Sequence, residues 1–184
     1  LRIVAVTDHD STEGIAEAQA AAVRYPELTV IPGIELGTED GDTEVHLVSH
    51  FVDMDAPGLQ AYLTELRDGR VEAARGTVKR LGELGVHLSW ERVLEIADGA
   101  VGRPHIARAM AEAGYVKNAQ DAFLRYLGTD GLARVKRPKP TPTDGVRFLH
   151  SVGATATLAH PQTVRGLRRV LGFLVDEGLD VIEV

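Results

Sequence analysis

Leu1-Arg2-Ile3-Val4-Ala5-Val6-Thr7-Asp8-His9-Asp10 opens the chain, and its reading decides the fold. An apolar, β-branched run of strand length stops abruptly at an acid–imidazole–acid cluster. A buried strand that delivers polar side chains to its C-terminal end is the usual way an α/β protein builds a site. Two carboxylates flanking an imidazole suit a divalent cation better than a core. The same residues also read as a helix start, since Asp10 and Glu13 have capping-box spacing ahead of an Ala-rich run. The two readings are compatible, with Asp10 capping and His9 ligating.

Composition narrows the chemistry. A chain of 184 residues buries a sizeable core and fits one domain, or one domain with an insertion. The net charge of −7 argues against a dominant non-specific grip on nucleic acid, which needs an extended basic face. No apolar run approaches membrane-spanning length. There is no cysteine, which excludes disulfides, zinc–thiolate sites and cysteine nucleophiles. Any metal must therefore be held by His, Asp and Glu, a donor set that suits Mn, Fe, Zn or Mg. The chain begins without Met inside one apolar run and stops inside another, the pattern of an internal piece of a longer protein.

Working outward, the first part alternates strand and helix patterns: a strand over 1–6, a helix over 12–24, a strand over 28–34 and a strand-like run over 44–51. Short strands separated by helices predict βαβ units and a largely parallel sheet. From residue 56 the spacing is helical, with helices expected over 56–84, 89–97, 103–112 and 119–127. Ser89 reads as a cap, and Gly85, Gly99, Gly114 and Gly128 as stops. Four helices without a strand do not fit simple alternation and read as an insertion. A basic, proline-punctuated loop over 134–142 follows. Alternation then resumes with a helix over 143–151, a strand over 154–159, a helix over 163–177 and a strand over 179–184. The expected organisation is therefore an α/β segment over 1–55, a helical insertion subdomain over 56–133, and a basic loop with a return to α/β over 134–184.

The other strand-like segments also carry polar chemistry. The second delivers Glu35 after Ile31-Pro32-Gly33-Ile34, the third holds His46, and the strand over 154–159 ends at His160-Pro161. Singly, each has a dull explanation: a loop acid, an edge-strand histidine, a residue before a proline-initiated helix. Jointly they form a pattern that one buried histidine would not produce.

The ordered set Thr7-Asp8-His9-Asp10, Pro32-Gly33-Ile34-Glu35, Glu44-Val45-His46 and Leu158-Ala159-His160-Pro161 resembles the polymerase and histidinol phosphatase (PHP) family of metal-dependent phosphoesterases. Gly102-Arg103-Pro104-His105-Ile106-Ala107 and Phe123-Leu124-Arg125-Tyr126-Leu127-Gly128 narrow the likeness to the branch acting on nucleoside 3′,5′-bisphosphates and on short RNA 5′ ends. The resemblance implies an α/β fold, a distorted (β/α)7 barrel, here without its first and last strands, carrying an inserted helical subdomain. It implies two or three divalent ions, manganese foremost, held by His9, Glu35, His46 and His160. His9, Asp8 and His160 would be the catalytic set, with Asp8 and Asp10 orienting the ligands. The family's upstream His-x-His and downstream Asp-x-His lie outside the sequence.

Arg103 begins a helix with Pro104 in its first turn, and a helix N-terminus beside a guanidinium is an anion site. The resemblance gives this element, with His105, to substrate phosphate; Lys136 and Lys139 of the basic loop are further candidate contacts. His50, His87 and His150 read as structural, and Trp90 as a packing anchor. The implied activity is hydrolysis of a phosphate monoester of a nucleoside 3′,5′-bisphosphate by metal-activated hydroxide, in the cytoplasm. Its alternatives are 5′–3′ exoribonuclease action on short RNA through the same site, or a catalytically incomplete module kept for structure or regulation. The expected partner is a small nucleotide or short RNA, with no membrane and no stable nucleic-acid complex.

Overall fold

The computed structural model describes all 184 residues and is a mixed α/β fold with one five-stranded sheet in the order β1-β2-β3-β4-β5. The strands are β1 (Ile3–Val6), β2 (Thr29–Asp40), β3 (Thr43–His50), β4 (Thr157–Leu158) and β5 (Val181–Ile182). β1 pairs with β2 and β4 with β5 in parallel, whereas β3 runs antiparallel to both β2 and β4. The expected largely parallel sheet is thus corrected. The cause is local: β2 runs on past Glu35 to Asp40, and Gly41 and Asp42 turn it straight into β3. Gly41 supplies the positive φ, 62°, that so short a hairpin loop requires.

Two compact units divide the chain, one of residues 1–64 and 139–184, the other of residues 65–138. The first holds the sheet, α1 (Glu13–Ala22), α6 (Pro142–Ser151) and α7 (Leu167–Asp176). In β2 and β3 the side chains alternate as a pleat dictates: Ile34 and Leu36, Val45 and Leu47 are fully buried on one face. Glu35, His46 and Val48 occupy the other, which is only half covered. Helix α6 packs on the buried face. Its Gly145 allows this, because a Cβ there would stand 2.8 Å from Leu47 Cδ1 and 2.9 Å from Thr38 Cγ2. Gly33 is more constrained, with a Cβ meeting the Ser49 carbonyl oxygen at 2.3 Å.

The second unit is helical, with α3 (Trp90–Ala97), α4 (Arg103–Glu112) and α5 (Ala119–Ala122) beside most of α2 (Leu59–Glu83). Leu81, Val93, Ile106, Met110 and Leu127 form its core, and Trp90 packs against them. The Ser89 hydroxyl accepts the Arg92 N–H at 3.2 Å, capping α3 as expected. The single helix expected over 119–127 is instead a short α5 relaxing into a π-helical turn at Phe123–Leu127. Likewise the helix expected over 163–177 is a 3₁₀ turn at Pro161–Thr163 and then α7, separated by Gly166 at φ 66°.

Candidate metal centre

Four side chains from four separate segments meet on the half-covered face of the sheet, around the carboxylate of Glu35. His46 Nδ1 lies 2.8 Å from Glu35 Oε1, His160 Nε2 3.3 Å from the same oxygen, and His9 Nδ1 3.8 Å from Oε2. The ligand atoms of His9, Glu35 and His46 all fall within 4.8 Å of one another. His160 Nε2 adds a contact of 3.1 Å to His46 Nδ1. The His46 ring stands edge-on to both neighbours, with centroids 5.0 Å from His9 and 4.8 Å from His160.

The backbone explains this convergence. β1 pairs with β2 through Val6 and Pro32, and the pairing continues as a bridge that sets His9 beside Glu35. The Glu35 N–H donates to the Asp8 carbonyl at 3.1 Å, and the Asp10 N–H donates to the Glu35 carbonyl at 3.0 Å. In the hairpin, His46 pairs with Gly37 and Val48 with Glu35, so both ligating side chains share a face. His160 follows β4, and the Ala159 N–H donates to the His46 carbonyl at 3.0 Å.

Asp10 departs from its expected capping role. It is fully buried at φ 51°, and its Oδ1 accepts the Gly37 N–H at 3.0 Å. The N-cap position of α1 falls to Thr12, which makes no side-chain cap bond, while Ser11 Oγ accepts the Glu13 N–H. The capping-box spacing is present, but a long-range acceptor role in the sheet outcompetes the local one. Asp8 sends its carboxylate toward Gly14 at the start of α1, 2.8 Å from where a Cβ there would stand, and an acid at a helix N-terminus is favoured.

Burial pushes the Glu35 carboxyl upward, but the hydrogen bond from His46, the charges of His9 and His46 and the His160 contact outweigh it. The net effect holds Glu35 below the ordinary carboxylate range, so it is anionic at neutral pH. Three imidazoles gathered on one carboxylate form a nitrogen–oxygen donor set suited to a divalent cation. The side chains remain reachable: His9 is 44% exposed, His160 36%, and Glu35 18%.

Arg103, His105 and Lys136 belong to the helical unit. Arg103 Nη1 donates to the Leu127 carbonyl at 3.2 Å, and its guanidinium lies over the Phe123 ring. His105 Nδ1 accepts the Gly102 N–H at 3.0 Å, while the His105 N–H returns to the Gly102 carbonyl at 3.1 Å. Burial, then the charges of Arg70 and Arg108, lower the His105 pKa and favour the neutral ring. With Nδ1 accepting, its proton sits on Nε2, which makes that atom a donor. Lys136 is exposed. Lys139, in the sheet-bearing unit, is 9% exposed and ion-paired to Glu44 at 2.9 Å. Arg134 and Arg137 of the basic loop brace the carbonyls of Thr129 and Leu66.

Of the remaining histidines, the His150 ring meets Asp180 at 3.0 Å, while the main-chain N–H of His87 bonds the Tyr115 hydroxyl and that of His50 donates to Thr155 Oγ1. Sequence reasoning missed three groups. Arg70 carries no motif and sits mid-helix. Thr163 contacts His160 Nδ1 at 2.9 Å, and Glu183 accepts the His160 N–H at 2.5 Å. Glu183 was within reach, since it is an acid immediately after an apolar strand, the signal already used for the others.

No family model matches the chain. It is 30% identical to the 5′–3′ exoribonuclease Rnm of Salmonella typhimurium, over 98% of this chain and 64% of that protein. It is 32% identical to the 3′,5′-nucleoside bisphosphate phosphatase of Chromobacterium violaceum, over 86% of this chain and 56% of that one. The chain thus spans less than two thirds of the length of these relatives. Among solved structures, an amidohydrolase from Chromobacterium violaceum, with bound sulfate and no metal, superposes with a TM-score of 0.90 at 30% identity, covering 98% of this chain and 66% of that one. A Bifidobacterium adolescentis protein assigned as a metal-dependent phosphoesterase gives 0.88 at 26% identity, covering 100% and 66%.

Proposed function

Taking the chain as a homologue of these bisphosphate phosphatases and 5′–3′ exoribonucleases, with which its PHP-like motif set is consistent, we propose that it forms the core of a divalent-metal-dependent phosphoesterase. Its substrate in this proposal is a nucleoside 3′,5′-bisphosphate, from which one phosphate monoester is hydrolysed in the cytoplasm. The observation that carries the reading is the meeting of His9, Glu35, His46 and His160 around one carboxylate. The proposal includes a distorted (β/α)7 barrel, to which the five-stranded sheet belongs, and two or three ions with manganese foremost.

When bound, the ions supply Lewis-acid activation of water and positive charge for the phosphoryl oxygens. Glu35 would contribute negative charge, and His9, His46 and His160 would contribute nitrogen donors. Asp8 and Asp10 hold the backbone of His9 against β2. Arg103 and the Nε2–H of His105, at the N-terminus of α4, offer the donors and positive end that a second phosphate needs. Lys136 and Lys139 are further candidate contacts in this reading.

A 5′–3′ exoribonuclease using the same residues is the second reading, favoured by the Salmonella relative; the net charge of −7 favours the smaller substrate. Phosphate release from a nucleoside 3′,5′-bisphosphate and cleavage of a short 5′-phosphorylated RNA, each with manganese and after chelation, discriminate the two. His9→Ala and His160→Ala should abolish hydrolysis and lower metal content. Unchanged turnover in both variants would refute the site.

A further inference from the structure

Beyond its pairing with β1, strand β2 presents successive main-chain donors along its outer edge, and each finds an acceptor from a different place. The Glu35 N–H donates to the Asp8 carbonyl at 3.1 Å, the Gly37 N–H to Asp10 Oδ1 at 3.0 Å, and the Glu39 N–H to the Pro140 carbonyl at 3.0 Å. The last of these brings the segment before α6 against the β2–β3 hairpin. There Lys139 Nζ meets Glu44 Oε1 at 2.9 Å, and Glu44 is the cross-strand partner of Glu39. Residues 139 and 140 therefore hold both strands at one level, one strand by charge and the other by the main chain.

The sequence of the hairpin explains why a cation is needed at that level. Glu39 and Glu44 stand opposite each other on the face that also carries Glu35 and His46, and like charges directly opposite push strands apart. The neighbouring Asp40 has a cation of its own, Arg169 of α7. The Lys139 side chain is 9% exposed and that of Glu44 29%, so water does little to screen the pair. Removing one partner would leave the other charge poorly solvated. Glu44 is two residues from His46, about 7 Å along the strand.

We propose that Lys139 is a positioning residue of the metal centre. By neutralising the Glu39–Glu44 pair and tying the hairpin to the start of α6, it keeps the two strands closed and His46 over Glu35. Its place in the basic loop makes it a candidate phosphate contact, but its ammonium serves the hairpin. This deepens the proposed metal centre and rests on it for its purpose, whereas the tether is a property of the fold alone.

The test compares Lys139→Met, Lys139→Arg, Glu44→Gln and the Lys139→Met/Glu44→Gln double variant of the full chain, by urea midpoint and by calorimetric titration with Mn²⁺ alone. Charge by itself predicts that losing a cation tightens Mn²⁺ binding. Positioning predicts the opposite for Lys139→Met, a weakening of about 10–100-fold, the usual scale for losing a group that supports a ligand. Lys139→Arg should restore affinity within about threefold. In urea the two single losses should not add, and the double variant should lie between wild type and Lys139→Met. Should Lys139→Met not fold, the double variant, whose removed charges cancel, carries the titration with the same expected direction. Mn²⁺ binding as tight as wild type or tighter in the variant titrated, or additive losses in urea, overturns the assignment and returns Lys139 to the substrate. If the urea coupling appears while wild type binds no Mn²⁺, the tether stands and the metal-centre reading falls.

Discussion

Asp10 offers the sharpest test of how the centre is held, because three substitutions separate its contributions. Its Oδ1 accepts a buried Gly37 N–H at 3.0 Å, and its backbone sits at φ 51°. Asp10→Gly removes the acceptor and strands a buried donor, a loss of about 1–3 kcal/mol, but suits the left-handed backbone. Asp10→Ala removes the same acceptor and, unlike glycine, keeps a Cβ at the left-handed position, about 1–2 kcal/mol more than the glycine variant. Asp10→Asn retains Oδ1 and tolerates the conformation, so it should cost least. For a chain of this length each kcal/mol lowers Tm by about 2–4 °C, which puts the alanine variant roughly 4–20 °C below wild type. Urea titration followed by circular dichroism, with Tm as a second readout, ranks the series. The main-chain bond from the Asp10 N–H that pins His9 to β2 depends on this left-handed backbone, so the alanine variant should also bind Mn²⁺ more weakly. Equal stability of the glycine and alanine variants would refute the backbone argument, and an alanine variant as stable as wild type would refute the buried bond.

Further outcomes follow from other residues. Gly33→Ala should destabilise the fold by about 3 kcal/mol or more, since the new Cβ meets the Ser49 carbonyl and backbone cannot step aside as a side chain would; denaturant midpoints measure it. Arg103→Ala should raise KM for a bisphosphate about tenfold or more, the scale of a charge-assisted bond, while metal content stays at the wild-type level. Loss of metal from that variant would show that Arg103 serves the ion. His105 has a lowered pKa, caused by burial and then by Arg70 and Arg108. The unfolded chain therefore takes up the proton first as pH falls, so stability is present above the ordinary histidine pKa and declines below it. Urea midpoints from pH 7.5 to 5.5 should fall more steeply for wild type than for His105→Gln.

What the sequence made legible was the set of polar strand termini. His9, Glu35, His46 and His160 could be named because each interrupts or ends an apolar run, and the structure gathers all four. The direction of β3 was not legible. Asp40-Gly41-Asp42 carry a turn signal, yet a strand read as ending at Ile34 leaves them no partner, and only continuous pairing from Gly33 to Asp40 shows a hairpin. Asp10 was misread for a related reason: capping spacing is a local signal, whereas its acceptor role depends on a residue 27 positions away. Thr163 carried no signal, because its partner is set by one left-handed residue, and conformation at a single position is not written in periodicity.

The hairpin gives the centre a kinetic order of assembly. Glu35 and His46 are 11 residues apart and joined by a two-residue turn, whereas His46 and His160 are 114 apart. Hairpins close in about 1–10 μs, while distant contacts wait for the entropy of long-range closure to be overcome. Half of the donor set is therefore assembled early in refolding, and His9 and His160 complete it last.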